Sequence, residues 1–314
     1  MSNNGSERKL REFKERPLRP GAPGAERPKG RLLIIGGKED KEDQKVILRE
    51  LARLVGSGKL VVATVASGSP DESMERYESV LRSLGVRHLY HLKIEERADA
   101  ETVKALNILE GATAVYFTGG DQLKITSQIG DTPVYSRIYE IFLQGGTIAG
   151  TSAGAAVMSE TMIVGGGQNG SHRIGENLRL APGLGFAKDM VIDQHFAERG
   201  RMSRLLGVVA QNPRIIGIGI DENTAIEVRA HRGFRVIGEG GVYVIDGRDV
   251  MYSNVAEEEQ SRTLSVFGVQ LHLLSQGDTF DLVTREPTAH PAEEVDEELL
   301  GKEEREPAGE AADA

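Results

Sequence analysis

Short unbroken apolar runs alternate along this chain with longer stretches whose apolar residues recur at helical spacing, and that alternation leaves few folds open. The runs at residues 32–35, 60–65, 114–117 and 190–192 are rich in Val, Ile and Leu and have no polar alternation. Such runs predict strands buried on both faces. Residues 215–220 (Ile-Ile-Gly-Ile-Gly-Ile) predict another, with glycines where a neighbour comes close. Residues 44–54 and 74–84 carry apolar side chains at helical period. Strands alternating with helices need crossover connections, so the expected core is an α/β three-layer sandwich, a mostly parallel sheet with helices on both faces. After Ile220 the pattern changes. Residues 225–228, 234–237 and 242–245 are short strand-like segments joined by tight turns, among them Asp246-Gly247. They predict late antiparallel strands added to the same domain. No repeat or linker interrupts this part, so residues 31–287 are expected to form one domain.

Two charged segments flank it. Residues 1–31 hold nine basic and four acidic residues, a net of +5. Residues 291–314 hold ten acidic residues against Lys302 and Arg305, a net of −8. The chain carries −10 in all, which leaves −7 on the body. Neither flank has an apolar pattern able to offset its ordering entropy, so 1–30 and 288–314 are expected to be disordered tails. A mildly acidic body argues against a nucleic-acid partner, which needs a basic surface. There is no cysteine, so thiol nucleophiles, disulfides and thiolate metal sites are excluded. No apolar run approaches the roughly 20 residues that span a bilayer, and the first residues lack the apolar stretch of a secretory signal. The expected location is cytoplasmic, away from membranes.

The most informative segment is residues 145–158, where a short apolar strand enters Gly150-Thr151-Ser152-Ala153-Gly154 and then a run of small helix-favouring residues. A serine presented on a sharp strand-to-helix turn needs small neighbours on both sides. The amide of Ala153 then points at a developing oxyanion, and a Gly-Gly turn at a strand end, Gly119-Gly120, offers a second donor. A serine hydroxyl needs a base, and histidine is the usual one near neutral pH. Of seven histidines, His195 ends the strand-like run 190–194 and is followed by Arg199, Arg201 and Arg204. His172, in a glycine-rich stretch, is the reserve candidate. A carboxylate must orient the imidazole, and Asp221 and Glu222, at the end of the next strand, both remain open for that role.

Five motifs now stand in order: residues 34–41 (Ile-Ile-Gly-Gly-Lys-Glu-Asp-Lys), 117–122 (Phe-Thr-Gly-Gly-Asp-Gln), 150–155 (Gly-Thr-Ser-Ala-Gly-Ala), 193–196 (Asp-Gln-His-Phe) with the three arginines, and 217–225 (Gly-Ile-Gly-Ile-Asp-Glu-Asn-Thr-Ala). Together they resemble the cyanophycinases of peptidase family S51, with aspartyl dipeptidase (peptidase E) a more distant relative. The resemblance implies a Ser152–His195–Glu222 triad and a substrate site lined by Gln122, Asp193, Gln194, Arg199, Arg201 and Arg204. It implies a class I glutamine-amidotransferase-like (flavodoxin-like) fold, a homodimer and no metal or other cofactor. The implied substrate is cyanophycin, a polyaspartate with arginine on each β-carboxyl, cut to β-Asp-Arg dipeptides. The nearest alternatives are an isoaspartyl dipeptidase of the same family and a non-catalytic polymer-binding homologue. One departure is Asp121, where the family has Asn at least as often.

Overall fold

The computed structural model describes residues 3–15, 18, 28–166, 178–229, 232–257 and 262–290. A first helix, α1 (Asn3–Glu15), precedes the alternating series. That series begins with β1 (Arg31–Ile35), α2 (Val46–Val55), β2 (Lys59–Ala63), α3 (Pro70–Ser83) and β3 (His88–Leu92). It continues through α4 (Val103–Leu109), β4 (Ala112–Phe117), α5 (Gln122–Ile129), α6 (Pro133–Leu143), β5 (Thr147–Thr151) and the single turn α7 (Ala153–Ala156). Next come β6 (Thr161–Gly165), β7 (Arg179–Pro182), β8 (Met190–Gln194), α8 (Met202–Gln211) and β9 (Ile216–Ile220). Strands alone complete the described chain: β10 (Thr224–Arg229), β11 (Gly233–Gly238), β12 (Val242–Asp246), β13 (Tyr252–Ser253) and β14 (Val266–Phe267). The last three are β15 (Gln270–Leu274), β16 (Thr279–Asp281) and β17 (Glu286–Thr288).

The main sheet has nine strands in the order β17-β16-β11-β10-β1-β5-β4-β2-β3. The five strands from β1 to β3 run parallel, as the apolar runs of β1, β2 and β4 predict. From β1 outward the pairing is antiparallel, built from the late strands. In one respect the architecture differs from a single extended sheet. β10 takes the free edge of β1, so β8 and β9 pair in parallel within a second sheet of order β15-β12-β9-β8.

Side chains alternate between the two faces of the main sheet. Leu33, Ile35, Leu60, Val62, Ala114 and Tyr116 point toward α2 and α3. Leu32, Ile34, Val61, Ala63, Val115 and Phe117 point the other way, toward α5, α6 and the inner face of the second sheet, with Ile218, Ile220, Val242 and Val244. α8 covers that sheet's outer face through Leu205, Val208 and Val209. Close approach explains a glycine in β9: a Cβ on Gly219 would lie 2.5 Å from the Phe196 ring.

The basic N-terminal segment, expected to be disordered, contains α1, which packs on α4 and α6. Phe13 is 5% exposed there, Lys9 pairs with Glu140 at 2.9 Å, and the Leu18 amide donates to Ser136 Oγ at 3.2 Å. Leu10 and Phe13, three residues apart, put the few apolar groups of a charged helix on one face. Phe13→Ala is expected to cost about 2 kcal/mol from lost burial and to lower Tm by about 4–8 °C, read by calorimetry. An unchanged Tm would mean that the helix contributes nothing to the body. At the other end, β17 extends to Thr288 and the His290 amide donates to Asp278 at 2.8 Å, so the body runs a few residues past 287. The acidic segment 291–314 lies outside the described residues.

Candidate active site

β5 ends at Thr151 and α7 begins at Ala153, so Ser152 turns the chain alone, with φ 54° and ψ −112°. A non-glycine residue there stores strain of the order of 1–3 kcal/mol. The flanking glycines are forced by contact. A Cβ on Gly150 would lie 2.3 Å from the Gly154 carbonyl oxygen, and one on Gly154 would lie 2.3 Å from the Phe117 carbonyl oxygen. The Ser152 amide donates to the Ile35 carbonyl at 3.1 Å, which ties the turn to β1.

His195 follows β8 in the second sheet, and it reaches the serine across the junction of the two sheets. Its Nε2 is 2.9 Å from Ser152 Oγ and its Nδ1 is 2.7 Å from Glu222 Oε1. The ring is held by the turn after β1. The His195 amide donates to the Gly36 carbonyl at 2.8 Å, and a Cβ on Gly37 would lie 2.3 Å from the imidazole. Geometry also separates the two carboxylates that the sequence left open. Asp221 accepts from the amides of Ala197 at 2.9 Å and Gly241 at 3.0 Å, while Glu222 alone meets the imidazole. Glu222 has a second partner, Lys38, at 2.9 Å. Burial raises the Glu222 pKa, but the hydrogen bonds from Lys38 and His195 outweigh it and hold the carboxyl below its usual range. Burial lowers the His195 pKa below the ordinary histidine value. Glu222 opposes this, and Arg199 and Arg201 add to it.

A cleft of about 430 Å³ opens beside Ser152, lined by Gly120, Gln122, Val164, Gly165, Gly166, Gln194, Arg199, Arg201 and Arg204. Five of the six residues expected to line a substrate site are therefore in its wall. Asp193 is not: it is 1% exposed and sits behind the arginines. Arg201 Nη1 lies 3.1 Å from Asp193 Oδ1 and 2.7 Å from Gln194 Oε1, and Arg204 Nε lies 2.6 Å from Asp193 Oδ2. Burial pulls Arg201 down to about 10, with Asp193 opposing and Arg204 and Arg199 contributing, so it stays charged at neutral pH. Arg199 is exposed, and among the described residues no carboxylate pairs with it. It is the guanidinium most available to an incoming anion. Gln122 donates to the Ile163 carbonyl at 3.1 Å.

Gly119 faces the nucleophile, since a Cβ there would lie 3.4 Å from Ser152 Cβ. Gly120 instead turns against Ala66, with φ 142°. Asp121 caps α5 by accepting from the Leu123 amide at 2.8 Å. An asparagine oxygen caps a helix equally well, which accounts for either residue at this position. Among the described residues no three His, Asp or Glu side chains converge as metal ligands. His172 lies outside the described residues. Lys38 and Glu39 escaped the reading of individual residues. Their only signal was the motif 34–41, whose glycines explain themselves once the His195 ring is seen against them.

A strained strand-to-helix serine, bonded through a histidine to a carboxylate on an α/β sheet, has the geometry of a serine-hydrolase triad. The family model described as peptidase family S51 matches residues 32–236. The cyanophycinase of Synechococcus elongatus is 37% identical over 261 residues, covering 82% of this chain and 81% of that one. The cyanophycinase of Trichormus variabilis is 37% identical over 258 residues, covering 81% and 86%. This chain belongs to peptidase family S51. A solved peptidase from an acI-B1 actinobacterium, 22% identical, shares the fold with a TM-score of 0.61 and covers 82% of this chain and 98% of its own.

Proposed function

We propose that this protein is a cyanophycinase, hydrolysing the polyaspartate–arginine polymer cyanophycin to β-Asp-Arg dipeptides through an acyl-enzyme on Ser152. Ser152 Oγ attacks the scissile carbonyl while His195 Nε2 takes its proton. Glu222 holds the Nδ1 proton and stabilises the imidazolium. The amides of Ala153 and of the Gly119-Gly120 turn receive the oxyanion. His195 then protonates the leaving amine, and water activated by the same imidazole releases the acid. Asp193 acts behind the substrate site by fixing Arg201 and Arg204.

The observation that carries the substrate reading is the arginine wall beside Ser152. Both carboxyls of each backbone aspartate are in amide bonds, but every arginine hung on the backbone keeps a free α-carboxylate, and a guanidinium can grip one bidentately. The name shared by the relatives points the same way. Incubation of the pure protein with cyanophycin is expected to release β-Asp-Arg, identified by mass, while casein stays intact. Arg199→Ala is expected to lower kcat/KM on cyanophycin by about 10- to 150-fold, the worth of one charge-assisted hydrogen bond. Equal cleavage of casein, or an Arg199→Ala variant at wild-type kcat/KM, would reduce the reading to an S51 peptidase with another acidic substrate, such as an isoaspartyl peptide. The same reading includes a cytoplasmic homodimer, and light scattering of the pure protein checks its mass.

A further inference from the structure

The turn after β1 touches His195, Glu222 and the residue before Ser152, yet its most deeply buried charge has no part in the mechanism above. Glu39 is 3% exposed. Its Oε1 accepts from Tyr77 Oη at 2.6 Å, from Tyr116 Oη at 3.0 Å and from Lys41 Nζ at 2.8 Å. Its Oε2 accepts from one group, Thr151 Oγ1, at 2.6 Å. Thr151 is the last residue of β5, 3% exposed and directly before the strained Ser152. Burial raises the Glu39 pKa, but the ion pair with Lys41 and the bonds from Lys41, Thr151 and Tyr77 outweigh it, so the group is a carboxylate. Burial and Glu39 itself push Tyr77 and Tyr116 well up, so both remain donors.

A buried carboxylate is costly, and apolar side chains of similar volume would hold a sheet to a helix at least as well. Cohesion alone therefore does not account for it. What the carboxylate supplies is a fixed acceptor at one point, and among the described residues one of its oxygens serves only Thr151, the residue directly before the nucleophile. The neighbouring residues act on the other two members. The Gly36 carbonyl holds the His195 amide, the Gly37 carbonyl accepts from the Asn223 amide at 2.9 Å, and Lys38 pairs with Glu222. We propose that Glu39 is a positioning residue of the hydrolytic site: through Thr151 it fixes the end of β5, and with it the place of Ser152 Oγ against His195 Nε2. This rests on Ser152 being the nucleophile.

Two variants cut the link from opposite sides. Glu39→Gln keeps an oxygen for the tyrosines and Lys41 but sets an NH₂ group against Thr151 Oγ1. Thr151→Val removes only the hydroxyl. A misplacement well under 1 Å is expected to slow covalent labelling of Ser152 by a fluorophosphonate about 10- to 100-fold in each variant. The value of kcat on the peptide substrate should fall by the same factor, while KM moves by less than about twofold, because substrate binding is untouched. The double variant should be no slower than the slower single, since both cut one link. Labelling of Thr151→Val at the wild-type rate would overturn the proposal, and so would losses that multiply in the double variant or fall on KM. Should Glu39→Gln fail to fold, Thr151→Val decides alone. If the wild type itself is not labelled at Ser152, the nucleophile assignment fails first and this inference with it.

Discussion

Ser152→Ala is expected to abolish hydrolysis, with a loss on the order of 10³ to 10⁶ in kcat, the range seen when a triad nucleophile is removed. The loss is large because each later step needs the acyl-enzyme, so neither His195 nor the oxyanion donors can substitute for the missing Oγ. The fold should not suffer. The serine side chain makes one described hydrogen bond, to His195, while the turn is held by the Ser152 amide on Ile35 and by Gly150 and Gly154. Release of β-Asp-Arg and labelling by a serine-directed reagent should both stop, at an unchanged Tm. Retention of more than about a tenth of wild-type turnover would place the variant outside that range and the nucleophile elsewhere.

The elbow was legible in the sequence because its chemistry forces its composition. A serine at φ 54° demands contact glycines two residues away on either side, and both stand there. The parallel strands β1, β2 and β4 were legible for a similar reason: burial on both faces requires unbroken apolar runs, and β3, with His88 and Tyr90 exposed, carries no such run. What the sequence hid lies in pairing. Residues 190–194 and 216–220 predict strands of a mostly parallel sheet, and they pair with each other in parallel. Nothing local says that β10 will occupy the edge of β1 and send them to a second sheet. α1 was hidden by its charge, since two apolar residues in thirteen give little periodicity, and only docking on α4 and α6 reveals what Phe13 does. Asp193 shows the limit in the site itself. The family resemblance implies that it lines the substrate site, whereas the strand turns it inward to hold two arginines. Asp221 and Glu222 are adjacent and chemically alike, so only the direction of each side chain at the end of β9 distinguishes them.

That last pair gives the sharpest test of the triad. Glu222→Gln is expected to lower kcat by about 10²- to 10⁴-fold, the upper figure being the loss known for an amide in place of a triad carboxylate. The carboxylate accepts a hydrogen bond from Nδ1–H, which leaves the Nε2 lone pair facing Ser152 Oγ. An amide can donate to Nδ1 instead, and the proton then sits on Nε2, where it blocks the base. Asp221→Asn should leave kcat near wild type. It loses one of the two amide bonds that Asp221 accepts, a cost of about 1–3 kcal/mol in stability. The pH profile supplies an independent reading. His195 is the base only when neutral, and burial, aided by Arg199 and Arg201, disfavours its cation more than Glu222 favours it. The acid limb of kcat/KM should therefore lie below the ordinary histidine pKa, with activity lost as pH falls through it. Removing the Glu222 charge takes away the one opposing influence, so in Glu222→Gln the limb should move further down, whatever the height of the plateau. A limb that stays fixed while kcat drops would show that Glu222 orients the ring without stabilising its charge. A larger loss in Asp221→Asn than in Glu222→Gln would transfer the third role to Asp221 and break the triad as drawn.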